Sequence, residues 1–128
     1  MITESEAGEI IYDLCRNFGV EIHLLPNMPH EEVKSERIII ITNGEKSSTY
    51  WMNRIIKINW CVPDVEGEAF TPSIKKAEKA LTSLYYGKGY YNDIFYRFKK
   101  ESSDTAANAE MRCHYANLTI MFQTLNTK

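Results

Sequence analysis

Residues 54–84 read RIIKINWCVPDVEGEAFTPSIKKAEKALTSL, and three elements follow one another within them. In the first part, Ile56, Ile58 and Trp60 alternate with Ile55, Lys57, Asn59 and Cys61. A period of two places these sets on opposite faces, so Arg54 to Val62 is predicted as a strand. Pro63 to Phe70 follows as a loop with Asp64, Glu66, Glu68 and no basic residue, a local charge of −3. Thr71-Pro72 then reads as a cap followed by proline at the first helical position, where a missing N–H is no loss. Ile74, Ala77, Leu81, Leu84 and Tyr85 recur at helical spacing and predict a buried stripe, with Gly87 and Gly89 ending the helix.

Toward the N-terminus, Thr3 with Glu6 three residues on has the form of a capping box. Ala7, Ile10, Ile11, Leu14 and Phe18 give the first helix one apolar stripe, and Gly19 suits its left-handed terminus. Val20, Ile22 and Leu24 alternate with Glu21 and His23 and predict a short, half-buried strand. Pro26 to Glu36 is a polar loop. Arg37 to Thr42, too apolar to alternate, predicts a central strand, and Asn43-Gly44 a tight turn after it. Ser47 to Met52 continues extended.

Toward the C-terminus, Tyr90 to Phe98 reads as one aromatic strand with Ile94, Tyr96 and Phe98 on a shared face. Lys100 to Ala109 reads as a polar, mobile loop without a large apolar anchor. Met111 to Leu125 reads as a long strand with Leu118, Ile120 and Phe122 on one face. Helix, three or four strands, helix and two strands do not alternate as a parallel doubly wound sheet requires. The order predicts an α+β domain over residues 1–128: an antiparallel sheet of about five strands with two helices on one face.

With 128 residues and 14.8 kDa, the chain fits one domain. Surface scaling gives about 7,000 Å² folded against about 21,000 Å² unfolded, enough for a core without staples. Hydrophobic residues at 44% and charged residues at 25% exclude a disordered or fibrous chain. A net charge of −2 argues against a general nucleic-acid binder. Cys15, Cys61 and Cys113 are widely spaced and without a C-x-x-C, so free buried thiols are expected, with no disulfide or zinc ribbon. The start MITESEAGEI lacks the pattern of a signal peptide, and the longest apolar run, Ile38 to Ile41, is far too short for a membrane span. A soluble protein, cytoplasmic at synthesis, is expected.

Catalytic chemistry finds little support. His23 and His30 fall on a strand and a loop, and Cys113 and His114 are adjacent on a strand, so they point apart and form neither a metal pair nor a nucleophile–base pair. Asp64, Glu66 and Glu68 could hold a hard cation weakly, but a solvated acidic loop accounts for them. YYGKGYY contains a G-x-G, yet it follows a helix instead of opening one, which removes the phosphate-cradling logic. Its aromatics around a lysine could stack on bases, but a helix end running into a half-buried strand explains them better. Eight tyrosines favour a protein that assembles. No enzyme, cofactor or metal is expected.

The segment KINWCVPDVEGEAFTPSIKKAEKALTSL, Lys57 to Leu84, resembles small phage and prophage tail-completion proteins of the tail-terminator and head–tail joining type. ESSDTAANAEMRCHYANLTIMFQTLN resembles their last hairpin. The resemblance covers most of the chain in the order of its elements, rests on no single motif, and departs at the proline-containing Pro26 to Glu36 loop. It implies a subunit that closes into a ring, commonly a hexamer, and meets other tail or head–tail proteins, made in the host cytoplasm and then carried in the virion tail. It carries no catalytic residues, no nucleic-acid specificity and no membrane contact. By position, Asp64, Glu66 and Glu68 of one subunit are expected to face Lys99 and Lys100 of the next. A small-molecule-binding domain or enzyme with a pocket between helices and sheet is the competing class, and a toxin–antitoxin or other small interaction module is a third.

Overall fold

The computed structural model describes residues 2–47 and 50–125. Its elements are α1 (Glu4–Cys15), β1 (Glu21–Leu24), β2 (Arg37–Ser47), β3 (Trp51–Pro63), α2 (Thr71–Leu81), β4 (Tyr86–Tyr91), β5 (Ile94–Asn108) and β6 (Cys113–Leu125). The strands form one curled sheet in the order β1-β2-β3-β6-β5-β4. The fold is α+β with two helices, but the sheet has six strands and is mixed, because β1 pairs with β2 in parallel. A parallel pair needs a crossover. Residues 25–36 provide it by passing over the sheet face away from the helices, where Val33 and Met28 pack near Ile39, Cys61 and Met111.

The expected capping box of α1 is present: Glu6 N–H donates to Thr3 Oγ1 (3.1 Å) and Thr3 N–H to Glu6 Oε1 (3.0 Å). Thr3's backbone N–H, then its hydroxyl, hold the Glu6 carboxyl below the ordinary range. Gly19 takes the left-handed conformation (φ 74°). Ala7, Ile10 and Ile11 are buried as expected, whereas Leu14 is 39% exposed. The α-helix stops at Cys15 and a single 3₁₀ turn follows, leaving Phe18 half-buried with its ring 5.4 Å from Trp60. For α2, Ile74, Ala77, Leu81 and Leu84 are buried on the sheet. Thr71 is the first helical residue and not a cap; Phe70 precedes it without a side-chain bond.

Both helices cover the face built from Ile38, Ile40, Ile56, Ile58, Trp60, Leu118, Ile120 and Phe122. The curl brings β4 toward the helices, and Tyr91 packs against the core they cover. On this face Arg54 is buried, and its Nη2 donates to the Ile2 carbonyl at 3.1 Å.

Three expected turns and loops are strand. Asn43-Gly44 is no hairpin turn: β2 runs on to Ser47, and the irregularity between Asn43 and Glu45 is a bulge, because β3 pairs on both sides of it. In the expected extension from Ser47 to Met52, residues 48 and 49 lie outside the described residues. The aromatic stretch Tyr90 to Phe98 is two strands joined at Asn92-Asp93, both with positive φ (48° and 65°), as a type I′ hairpin turn requires. Gly87 and Gly89 lie inside β4 and do not end α2. There the Phe98 and Tyr96 rings of β5 cross over them; a Cβ at Gly87 would strike the Phe98 ring, and one at Gly89 would lie 2.7 Å from Tyr96 Oη. Finally, Lys100 to Ala109 is not a mobile loop. β5 continues to Asn108, paired with β6 through a bulge between Lys100 and Ser102.

Candidate functional site

The acidic loop and the two lysines sit toward opposite ends of the sheet. Asp64 follows β3, and its half-buried carboxylate meets His114 Nδ1 at 2.6 Å while its N–H donates to the Arg112 carbonyl. Val65 and Glu68 bridge across Glu66 and Gly67, both with positive φ (54° and 79°). That tight turn leaves Glu66 and Glu68 exposed. Lys99 and Lys100 are neighbours on β5 and so lie on opposite faces. Lys99 is exposed; Lys100 Nζ lies 4.5 Å from the Tyr85 ring centre, and its N–H donates to the Tyr85 carbonyl. Lys100 pairs with Ile120 and Asn108 with Cys113, so about 23 Å of strand separates the lysines from the acidic end. Within one subunit they do not meet.

The face of the sheet away from the helices carries a cluster that sequence reading missed. Tyr86, Lys88 and Tyr90 alternate on β4 and share the face of Phe95, Arg97 and Lys99 on β5. Tyr90 packs edge-on to Phe95 (5.5 Å), and Phe95 lies 6.5 Å from Trp51 of β3. The Arg97 guanidinium stacks on Trp51 at 3.8 Å, while its Nε donates to Gln123 Oε1 at 2.9 Å. Gln123 in turn donates to Asn53 Oδ1 at 2.8 Å, so the arginine is held by a ring and a side-chain relay. Tyr86 and Tyr90 remain 66% and 74% exposed. The signal available in sequence was YGKGYYNDIFYRF: two aromatic runs flanking Asn92-Asp93.

The same face also brings two cysteines together. Cys61 and Cys113 pack in one cluster with Val33 and Met111, and Cys61 Sγ donates to the Asn59 carbonyl at 3.9 Å. The Cys113 contact, then burial, push the Cys61 thiol up. Burial pushes Cys15 up to about 12, so neither Cys15 nor Cys61 is a thiolate near neutral pH. As expected, Cys113 and His114 point apart. Among the described residues, no three His, Cys, Asp or Glu side chains converge as metal ligands. None of their helices is long and apolar enough to cross a membrane.

Between helices and sheet, Trp60, Ile58, Leu118 and Phe122 are each at most 1% exposed, and the space is filled. The hollows lie at its margins. One of about 200 Å³ runs along β5 beside Leu81 and Tyr85. Another of about 620 Å³ opens between Glu4, Glu9, Leu24 and Thr42. No family model and no curated protein matches the sequence.

Proposed function

We propose that the chain is a structural subunit of a phage or prophage tail, of the tail-terminator or head–tail joining type, which closes into a ring and presents a surface to the next tail component. The observation that carries this reading is the aromatic and cationic cluster of Tyr86, Lys88, Tyr90, Phe95, Arg97 and Trp51. Tyrosine, tryptophan and arginine are the side chains enriched where protein surfaces dock, and large exposed aromatics on a small domain mark such surfaces. The observed order, helix, strand, hairpin, helix, closing hairpin and long last strand, supports the same family resemblance. With the acidic turn at one end of the sheet and the cationic cluster toward the other, the subunit is suited to different neighbours above and below it. Glu66, Glu68, Lys99 and Lys100 are the exposed charges for those contacts, Lys100 lying over the Tyr85 ring, while Asp64 is committed to His114.

Solution mass together with negative-stain imaging tests the reading. Closed rings of uniform diameter are expected, assembling less readily as salt rises past about 0.15 M. Monomer alone at every concentration and salt level, with no binding to isolated tail tubes, would contradict it.

A further inference from the structure

The two sides of the sheet are complementary in outline. β4 pairs with β5 only from Ile94 to Lys99, so from Glu101 to Asn108 the outer side of β5 has no strand beside it among the described residues. That edge carries neither proline nor lysine; its charged residues are Glu101 and Asp104, and a bulge between Lys100 and Ser102 marks its start. On the opposite side of the sheet, β1 is an edge whose strand partner is β2. Following the register across, Glu21 is level with Arg37, Cys61, Tyr115 and Ala106, and Leu24 with Ile40, Ile58, Leu118 and Ser103. The bare stretch of β5 and the free side of β1 therefore stand at the same height, and the pairings make them run in opposite directions.

We propose that β1 of one copy adds as an antiparallel strand to the Glu101–Asn108 edge of β5 in the next, making the sheet continuous around the assembly. This rests on the ring reading above and names the lateral contact within it. Side-chain and charge complementarity both favour a second copy as the occupant. Leu24 is 42% exposed on the helix-covered face. The hollow of about 200 Å³ beside the bare edge lies on that same face, lined by Leu81, Tyr85, Thr105 and Leu118. It receives the Leu24 side chain of the neighbour. The joint also sets α2 of one copy beside α1 of the next. α1 carries Glu4, Glu6, Glu9 and Asp13 with no basic residue, and α2 carries Lys75, Lys76 and Lys79 against Glu78. Such a contact joins two different patches, as a closed ring requires.

The test mixes two single variants, Glu21→Cys and Ala106→Cys, under mild oxidation. The substituted positions are level and share the outer face, while the three native cysteines are buried. A covalent dimer between the two variants is expected, well above the dimer that either variant forms alone. Adding Leu24→Asp to the Glu21→Cys variant should lower the yield about tenfold. Circular dichroism checks that this exposed site leaves the fold intact. Rings in the microscope without the mixed dimer overturn the strand-edge contact and leave the ring reading standing. A mixed dimer insensitive to Leu24→Asp, or self-dimers of equal yield, also overturns it. Neither rings nor mixed dimer overturns both.

Discussion

The two halves of β5 belong to one continuous strand and differ in almost every other respect. From Tyr96 to Lys99 the strand is flanked by both β4 and β6, with Ile94 and Phe95 before it paired to β4 and with Phe98 and Tyr96 stacked near Phe122. From Glu101 to Asn108 it is ESSDTAAN, mostly exposed and paired on one side with β6. In the first half, apolar burial would select a strand in most contexts. In the second, the neighbouring β6 imposes extension on residues with little preference for it. A polar composition therefore marks a bare edge here, not a loop.

Truncation should separate the halves most sharply. Phe98→Ala is expected to cost about 3–5 kcal/mol in urea unfolding, the range for a buried large aromatic. Thr105→Ala, in the second half, should stay within about 0.5 kcal/mol. Similar costs at both sites would remove the distinction. Gly87→Ala comes next. Its Cβ meets the Phe98 ring, and the forced shift should cost about 1–3 kcal/mol. Phe98→Leu in the same background should recover part of the loss by opening space.

The smallest effect lies far from β5 and gauges what an exposed cap contributes. Glu6 has its folded-state pKa below its unfolded value. Its contribution is therefore complete above the ordinary carboxylate range and disappears as pH falls through the folded value. Wild type and Glu6→Gln should differ in thermal midpoint at neutral pH and converge on acidification. A difference that persists into strong acid would assign the effect to something other than the carboxylate.

What the chain reveals unaided follows the same physics. α1 with its cap, the α2 stripe, and the facing sets Ile56, Ile58, Trp60 and Leu118, Ile120, Phe122 are legible because local periodicity and burial agree there. Phe18 falls on the apolar stripe predicted for α1. It is half-buried after the helix tightens, so Phe18→Ala should cost less than full burial implies. Asn43-Gly44 has strong turn chemistry, yet pairing with β3 turns it into a bulge. The parallel β1–β2 pair was hidden because only the packing of residues 25–36 reveals the crossover. The aromatic cluster and the Cys61–Cys113 contact depend on register, which juxtaposes residues distant in sequence. The acidic residues were legible as a loop, but the commitment of Asp64 to His114 was not.

Residue-resolved amide hydrogen exchange across β5, from dilute to assembling concentrations, tests the central claim most directly. Residues 96–99 should be protected throughout. Between Glu101 and Asn108, amides turned toward β6 should also be protected throughout, while those turned outward exchange fast when dilute and slow on assembly. Fast exchange of every amide in that stretch would contradict the strand, and outward amides that never slow in assembled protein would contradict the edge.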